Sequence, residues 1–401
     1  MTVVQLARTR LGLRRKSRAR ARAKDDIVVL NSSGWMVAGI SATLLVFGLV
    51  MILSSSSVSA AENYGSPFYF VKRQLLWATV GLIAAVAVAR SDYRRWRPLS
   101  WLLLGVSLIG LVAVLLPGVG IRVSGSSRWL GFGWVRIQPS EFAKLALLLV
   151  AADVVARKQH RLATMMEIFK PLGVITLLII ALVMKQPDLG TTLVIGLIVF
   201  VILFVGSVPM RLIAGMAAAG VGGTLALAVS APYRKERLMN FLDPFADALG
   251  SGYQAVQGLI AVGSGGMFGV GLGESRQKWL YVPNAHTDFI FAIIGEELGL
   301  LGTLAVLALF LGLAYAGIRI ARRAPDTFGR LVAAGITVWI VGQAVINMGA
   351  VTGLLPITGV PLPLMSFGGS ALVFTMAAIG MLVAVARREQ WPPPKEGDSK
   401  A

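Results

Sequence analysis

The feature that most restricts the fold of this chain is a series of long apolar segments separated by short polar ones. Several of these segments contain about 18 to 20 mostly apolar residues, the length that a helix needs to cross a bilayer. Of the 401 residues, 56% are hydrophobic and only 14% are charged, whereas a soluble domain carries about 25% charged residues. The sequence therefore predicts an all-α protein with several transmembrane helices. The alternating pattern of a membrane β-barrel is missing.

We predict ten transmembrane helices, with both termini in the cytoplasm. The predicted spans cover residues 35–53, 70–89, 98–116, 139–156, 171–184, 189–206, 212–229, 286–318, 331–350 and 367–386. The eighth segment is too long for one crossing, since its helix would extend about 50 Å against a hydrocarbon core of about 30 Å. Its sequence GEELG, residues 295–299, interrupts the apolar pattern. We therefore expect a short outer helix followed by a full span.

The distribution of basic residues supports this orientation. The net charge is +19, and 26 of the 38 Lys and Arg residues lie in segments placed in the cytoplasm, against 11 in external segments. Such a bias is typical of membrane topology and makes nucleic-acid binding an unnecessary explanation for the charge. Cysteine is absent, which excludes disulfide bonds and thiolate metal sites.

Three regions follow from this pattern. Residues 1–34 form a basic cytoplasmic tail that we expect to be disordered, residues 35–388 form the membrane domain, and residues 389–401 form a Pro-rich cytoplasmic tail. A basic stretch, an apolar run and the sequence SVSAAEN also have the order of a signal peptide. Because the apolar run is long enough to span the bilayer and more spans follow, we interpret it as an uncleaved first helix.

A long external loop, from about residue 230 to 285, joins predicted spans 7 and 8. Long loops tend to be functional. Its first half is amphipathic, which is compatible with a helix lying along the outer leaflet. Its second half, GSGGMFGVGLGES (263–275), is glycine-rich, and its composition is equally typical of a flexible linker. The pattern does not match a nucleotide-binding loop.

Ionisable residues near membrane spans are costly and are candidates for function. In the first cluster, Arg128, Arg136 and Gln138 precede Glu141 and Lys144. Glu141 and Lys144 have i,i+3 spacing, so they share one helix face and can form an ion pair. This pair would either hold the span in place or form part of a polar wall at the outer mouth.

The second cluster is MKQPDLGTT, residues 184–192. Pro187 ends one helix, and Asp188 can begin the next because a carboxylate is favourable near a helix N-terminus. A capped tight turn is the simpler interpretation, although Lys185 would also be able to face a cavity.

The third cluster is YVPNAHTDFIFAIIGEELG, residues 281–299. Asn284 is a possible helix N-cap, and His286 and Asp288 follow in the first turn. An acid at this position stabilises a helix N-terminus by about 0.3–1 kcal/mol, which would explain Asp288 without catalysis. A single histidine near a carboxylate is a weak signal for a metal site or for acid–base chemistry.

Another external segment, LPITGVPLPLMSFGGSA (355–371), contains three prolines and a glycine pair. It predicts a rigid loop with free backbone N–H groups near a helix start, an arrangement that can bind anions and that includes Ser366. A plain connection between helices is the alternative.

Six motifs occur in the order found in the SEDS family (shape, elongation, division and sporulation proteins), which this chain resembles from about residue 35 to 388. They are QPSEFAK, QPDLGT, GYQ, GGMFGVGLG, HTDFIFAIIGEELG and PLPLMSFGGS. The stretch QKWLYVPNAHTDFIFAIIGEELG is more similar to the division branch than to the elongation branch. The resemblance implies a ten-span fold and a peptidoglycan glycosyltransferase that polymerises lipid II at the outer face of the bacterial inner membrane, at the division septum. It also implies that Asp288 is the essential aspartate.

The chemistry of this reaction requires one base. The 4-hydroxyl of the acceptor sugar attacks C1 of the donor sugar, and a carboxylate within hydrogen-bond reach can take the proton. Pyrophosphate is a good leaving group, so a second carboxylate is unnecessary, in contrast to glycosidases. A single displacement predicts inversion at C1. Candidates for binding the substrate or its pyrophosphate are Lys72, Arg73, Arg128, Arg136, Gln138, Lys185, His286 and Ser366.

The remaining acids and Lys144 are expected to have structural or positioning roles. These residues are Glu141, Lys144, Asp188, Glu296 and Glu297. No cofactor is implied with certainty, although a divalent cation, Mg²⁺ or Mn²⁺, would be able to assist at the pyrophosphate. The partners implied by the resemblance are lipid II, a class B penicillin-binding transpeptidase (FtsI), and FtsQ, FtsL and FtsB, in addition to membrane lipids.

Two other classes of function remain open on the sequence. A lipid II flippase is expected to hold its site near mid-membrane between inverted repeats, but no repeat is evident and the sharpest polar cluster lies at the outer edge. A non-catalytic scaffold for division proteins is the other alternative.

Overall fold

The computed structural model describes residues 31–123, 126–132, 135–158, 169–230, 241–279, 281–283 and 285–388. The basic tail, apart from residues 31–34, lies outside these ranges, as do the Pro-rich tail and the predicted N-cap Asn284.

Eleven α-helices form in the part of the chain that the structure describes. They are α1 (Ser32–Tyr64), α2 (Tyr69–Arg90), α3 (Trp96–Ala113), α4 (Pro139–Lys158), α5 (Val174–Lys185), α6 (Leu189–Val205), α7 (Met210–Ser230), α8 (Tyr253–Ser264), α9 (Ile290–Arg323), α10 (Thr327–Val351) and α11 (Gly369–Ala386). A 3₁₀ turn at Tyr93–Arg95 precedes α3, and a π-helical turn at Phe169–Gly173 precedes α5.

Each predicted span overlaps one helix, and α8 lies in the predicted external loop. Among the described residues, six helices are long and apolar enough to cross a membrane: α1, α2, α3, α9, α10 and α11. Two shorter apolar helices, α5 and α6, accompany them. The chain is a multi-pass membrane protein.

A three-stranded antiparallel sheet lies between α3 and α4, and the all-α prediction is wrong in this segment. Its strands are β1 (Gly120–Val123), β2 (Ser126–Phe132) and β3 (Val135–Ile137), in the order β1-β2-β3. Leu130 pairs with Ile137, and Gly131 pairs with Arg136. The strands are short, and apolar and polar residues do not alternate regularly along them, so the sequence shows no clear strand signal between the two apolar spans. The sheet carries Arg128 on β2, which contacts α4, and Arg136 on β3, which precedes α4 in the chain.

Short polar residues fix several helix ends. The side chain of Asn31 accepts a hydrogen bond from the Gly34 N–H and caps α1, and Asp326 caps α10 in the same way through the Gly329 N–H. Pro139 begins α4, where its missing N–H costs nothing. These local interactions define where the helices start.

Helix α9 is broken within GEELG, as the sequence predicts. The break lies at Gly299, whose φ of 65° and ψ of −160° are accessible almost only to glycine. An added Cβ at Gly299 would lie 2.4 Å from the Gly269 nitrogen and 2.6 Å from the Met267 carbonyl carbon. The glycine-rich segment therefore packs its backbone directly against the break.

The same segment supplies hydrogen bonds that the broken helix lacks. The N–H groups of Val270 and Gly271 donate to the carbonyls of Glu296 and Glu297, each over 3.0 Å. In return, the Leu300 N–H donates to the Gly266 carbonyl over 2.9 Å. Non-helical backbone near a membrane persists only where such groups are satisfied. The interpretation of this segment as a flexible linker is wrong, because the segment is an ordered part of the helix break.

The core is formed by the central helices, and α1–α3 are more peripheral. In α4, every residue from Pro139 to Val155 except Phe142 is buried. In contrast, Ile83 in α2 and Ile109 in α3 are 65% and 72% exposed. Apolar side chains on the outer surface of membrane helices face lipid, which explains why these helices need no polar face.

Candidate active site

Just before α9, hydrogen bonds to three consecutive backbone carbonyls fix the chain around Asp288. The Phe367 N–H donates to the carbonyl of His286 over 2.9 Å. The Ser366 hydroxyl donates to the carbonyl of Thr287 over 2.6 Å, and the amide of Asn347 donates to the carbonyl of Asp288 over 2.8 Å. Asp288 itself is half-buried. Its position is therefore set by tertiary contacts and not only by the start of a helix.

The loop between α10 and α11 forms the wall opposite the Asp288 carboxylate. Gly359 has a φ of 72°, and an added Cβ there would lie 3.5 Å from the Asp288 Oδ2. Gly359 therefore places no side chain next to this carboxylate oxygen. An ordinary residue would be strained by the positive φ as well.

Ser366 holds this loop in shape. Its hydroxyl accepts a hydrogen bond from the Leu362 N–H over 2.8 Å while it donates to Thr287. One hydroxyl thus connects the loop to the Asp288 segment, and Ser366 is buried. The geometry gives Ser366 a connecting role between two chain segments.

Gln74 in α2 is a second connector, which the sequence reasoning missed. Its buried amide donates to the Ser366 carbonyl and accepts from the Gly368 N–H, each over 3.2 Å. The sequence signal for this residue is a glutamine inside the predicted apolar span 70–89, and the structure shows that it is fully buried.

His286 lies in an aromatic cluster. Its ring centroid is 4.4 Å from that of Phe70 and 5.7 Å from that of Phe367. Burial lowers the pKa of His286 to about 4. The ring is therefore neutral at pH 7, so it supplies no positive charge to a pyrophosphate.

Glu141 and Lys144 form the predicted ion pair, with 2.8 Å between Lys144 Nζ and Glu141 Oε1. Lys144 also donates to the Gln343 side chain over 2.9 Å and lies 5.0 Å from the centre of the Trp339 ring. Glu141 and Lys144 are both almost fully buried. A buried charge pair needs such additional contacts to offset its desolvation, and the network connects α4 to α10.

Arg128 in β2 is bound to the turn between α5 and α6. Its guanidinium donates to the carbonyls of Gln186 and Pro187 and lies 3.8 Å from an oxygen of Asp188. Gln138 approaches the same carboxylate over 3.4 Å. Through these contacts, Arg128 connects the sheet to the turn before α6.

Asp188 caps α6. Its carboxylate accepts hydrogen bonds from the N–H and the hydroxyl of Thr191, over 3.1 Å and 2.9 Å. Two residues later, Gly190 packs against the loop opposite Asp288, because an added Cβ would lie 2.9 Å from the Thr358 carbonyl oxygen. The capped turn and the Asp288 site are thus connected through one loop.

The other cationic candidates lie nearer the surface. Lys72, Arg136 and Lys185 are exposed. Arg73 donates to the Tyr69 hydroxyl over 2.8 Å and lies over the ring of that tyrosine. Exposed lysines and arginines can reorient toward an anionic ligand at a low cost.

Glu296 and Glu297 hold the break in α9. Glu296 accepts hydrogen bonds from the Ser275 hydroxyl and from the N–H groups of Arg276 and Gln277. Both oxygens of Glu297 accept from the Ser54 hydroxyl, over 2.6 Å and 2.8 Å. Each glutamate is buried and tied to a different segment.

A metal site built from side chains is not found among the described residues. They contain no group of three or more His, Cys, Asp or Glu residues close enough to hold an ion.

Comparison with known proteins identifies relatives over almost the whole membrane domain. The model of the FtsW, RodA and SpoVE family, described as cell cycle proteins, matches residues 35–391. Stage V sporulation protein E of Bacillus subtilis is 44% identical over 353 residues, which are 88% of this chain and 96% of that protein. A probable peptidoglycan glycosyltransferase FtsW of Trichlorobacter lovleyi is 42% identical over 354 residues, covering 88% and 93%.

Solved structures share this fold. A chain from a structure on the coordination of polymerization and crosslinking by a peptidoglycan synthase complex has a TM-score of 0.73 and 32% identity. RodA of Thermus thermophilus has a TM-score of 0.66 and 28% identity. Both matches cover 90% of this chain and 98% of the other chain.

Proposed function

The chain belongs to the FtsW, RodA and SpoVE family of cell cycle proteins, and from this premise we propose that it polymerises lipid II with Asp288 as the general base. It is a peptidoglycan glycosyltransferase, like the relatives that carry this name. The observation that carries the proposal is the fixed backbone of Asp288, with its half-buried carboxylate opposite Gly359. A preorganised carboxylate of this kind suits proton removal.

In the proposed reaction, the 4-hydroxyl oxygen of the acceptor sugar forms a bond to C1 of the donor sugar. The bond between C1 and the phosphate oxygen breaks, and undecaprenyl pyrophosphate leaves with the electron pair. Asp288 takes the hydroxyl proton as the new bond forms. One displacement inverts the configuration at C1, and the leaving group needs no acid.

The leaving diphosphate needs positive charge in its vicinity. Lys72, Arg73, Arg136 and Lys185 are the side chains that we propose for this role, because none of them is buried. Arg128 is a weaker candidate, since it is bound to the turn before α6. His286 is neutral at pH 7 and contributes packing.

A divalent cation enters the proposal only as a companion of the pyrophosphate and takes part in none of its steps. Among the described residues, no three His, Cys, Asp or Glu side chains lie close enough together to hold it. Polymerisation in the presence of a chelator, with and without added Mg²⁺ or Mn²⁺, tests this addition separately.

The finer features of topology and location belong to the same proposal. We place ten spans in the membrane with both termini in the cytoplasm and Asp288 on the outer face, at the division septum. The relatives named FtsW and SpoVE are about 38–44% identical, whereas the RodA structure is 28% identical, which favours division or sporulation over elongation. A class B penicillin-binding transpeptidase such as FtsI, together with FtsQ, FtsL and FtsB, is the expected partner set.

The test is a lipid II polymerisation assay on the purified full chain, with and without the transpeptidase. We expect glycan strands from the wild type and none from Asp288→Ala. Asp243→Ala is the matched control, because Asp243 is an exposed acid in the external loop. Polymerisation by Asp288→Ala would contradict the proposed base. Movement of lipid II across vesicles without polymerisation would favour a flippase.

A further inference from the structure

Asn347 occupies an unusual position between the two segments that face each other at Asp288. It lies near the end of α10 and is 2% exposed. Its amide nitrogen donates to the carbonyl of Asp288 and to the carbonyl of Val360, each over 2.8 Å. Val360 directly follows Gly359, which lies opposite the Asp288 carboxylate. One side chain thus joins the backbone of the acid to the backbone of the opposing wall.

The orientation of this amide follows from its surroundings. Both acceptors are backbone carbonyl oxygens, which only the NH₂ group can serve. The side-chain oxygen of Asn347 is buried and has no hydrogen-bond partner. Leaving a buried oxygen unpaired costs free energy. In this orientation, that cost is accepted together with the two hydrogen bonds that the NH₂ group makes to the carbonyls of Asp288 and Val360.

A second amide supports the first from one turn away on the same helix face. Gln343 donates to the Pro361 carbonyl over 3.0 Å and accepts hydrogen bonds from Lys144 and Trp339. The i,i+4 spacing places Gln343 and Asn347 side by side. Gln343 holds the loop that forms the wall of the site. Asn347 differs from it because it also donates to the carbonyl of Asp288, the residue that bears the carboxylate.

From these contacts we infer that Asn347 is a positioning residue for Asp288. It fixes the distance between the carboxylate and the Gly359 wall, and therefore the space in which the acceptor hydroxyl meets the base. This inference rests on the proposed role of Asp288. A displacement of about 1 Å at a reacting group can reduce the rate about 100-fold, so loss of the clamp should lower kcat.

Two substitutions test the inference in the polymerisation assay, with kcat and KM for lipid II measured separately. Asn347→Leu is close in volume but cannot donate, and Asn347→Ser is too short to reach both carbonyls. We expect each to lower kcat by roughly 10- to 100-fold with KM within about twofold, since an interaction needed only in the transition state affects kcat. A general loss of folded protein would lower the active fraction and the yield of monodisperse protein together.

Thr337→Val is the matched control. Thr337 is a buried residue on the same helix whose hydroxyl donates to the Ala333 carbonyl of that helix, so this variant should keep the wild-type kcat. Thermal unfolding in detergent identifies the variants that fold. If Asn347→Leu does not fold, the kcat of Asn347→Ser tests the positioning role. Wild-type kcat in a folded Asn347 variant would overturn the positioning role. Activity in Asp288→Ala would instead overturn the proposed function, so the two failures are distinguishable.

Discussion

Asp288 and the pair Glu296–Glu297 lie within nine residues of each other in one segment, yet their surroundings differ sharply. The backbone of Asp288 is fixed, while its carboxylate is half-buried and faces a glycine. The two glutamates are fully buried, and their carboxylates accept hydrogen bonds from Ser275, Ser54 and backbone N–H groups. The glutamate carboxylates hold the break in α9, whereas the hydrogen bonds at Asp288 described above fix its backbone and leave its carboxylate at a junction of two loops.

Two glycines near these acids, Gly299 and Gly359, have different structural roles. Gly299 allows α9 to break, and its backbone touches the glycine-rich segment at distances that exclude a Cβ. Gly359 leaves room beside the carboxylate, since a Cβ there would be at an ordinary contact distance from Asp288. The first glycine serves the fold of the external loop, and the second shapes the site.

The largest expected effect is on activity. Asp288→Asn keeps the shape of the side chain but removes the base, so polymerisation should fall by about 100- to 10,000-fold. Because its backbone contacts do not depend on the carboxylate, the melting temperature in detergent should stay near that of the wild type. A large fall in melting temperature would mean that Asp288, like Glu296 and Glu297, stabilises the fold.

The next effect is on stability. In Gly299→Ala, the new methyl group would meet the backbone of Met267 and Gly269 in a conformation that only glycine adopts easily. Such strain costs about 1–3 kcal/mol before the clash is relieved, so the melting temperature in detergent should fall. Gly39→Ala in α1 is the control, since nothing lies within 4 Å of the added Cβ. Equal melting temperatures for the two variants would contradict a close-packed break.

How far the sequence predicted these regions depends on the range of the contacts. The ion pair of Glu141 and Lys144 and the break at GEELG follow from local spacing and composition, and both were predicted. The cap at Asp188 is equally local. Rules for a helix face or a helix end need only a few neighbouring residues.

The clamps on Asp288 could not be predicted in this way. Asn347 is 59 residues from Asp288, and Gln74 is 292 residues from Ser366, so each contact depends on how distant helices pack. The small sheet was missed for a related reason, because its short strands are held against α4 and α11 by tertiary contacts. Tertiary packing routinely overrides local propensity in such segments.

A loss of stability of similar size is expected from Glu296→Ala. This variant leaves the Ser275 hydroxyl and two backbone N–H groups without their acceptor, and buried donors left unsatisfied cost about 1–3 kcal/mol. Melting temperature measures the effect, with Glu274→Ala as the control because Glu274 is an exposed acid in the same segment. If both variants melt alike, Glu296 does not hold the glycine-rich segment on α9.

The smallest effect concerns His286, which lies two residues before Asp288 and packs against Phe70 and Phe367. Burial lowers its pKa to about 4 in the folded protein, against about 6.5 in the unfolded chain. Between these values the unfolded state binds a proton and the folded state does not, so stability should fall as the pH drops from about 6.5 toward 4. The slope is at most about 1.4 kcal/mol per pH unit, and it should vanish above about pH 7.

His286→Phe isolates this contribution, because phenylalanine fits an aromatic cluster with Phe70 and Phe367 and cannot titrate. Melting temperatures of the wild type and the variant, measured from pH 7.5 to pH 4.5 in about half-unit steps, should diverge as the pH falls, with the wild type losing more. Carboxylates titrate in both proteins, so only the difference between the two curves reports on His286. Parallel curves would mean that the ring is open to water, and the wall beside Asp288 would then be wetter than the aromatic contacts indicate.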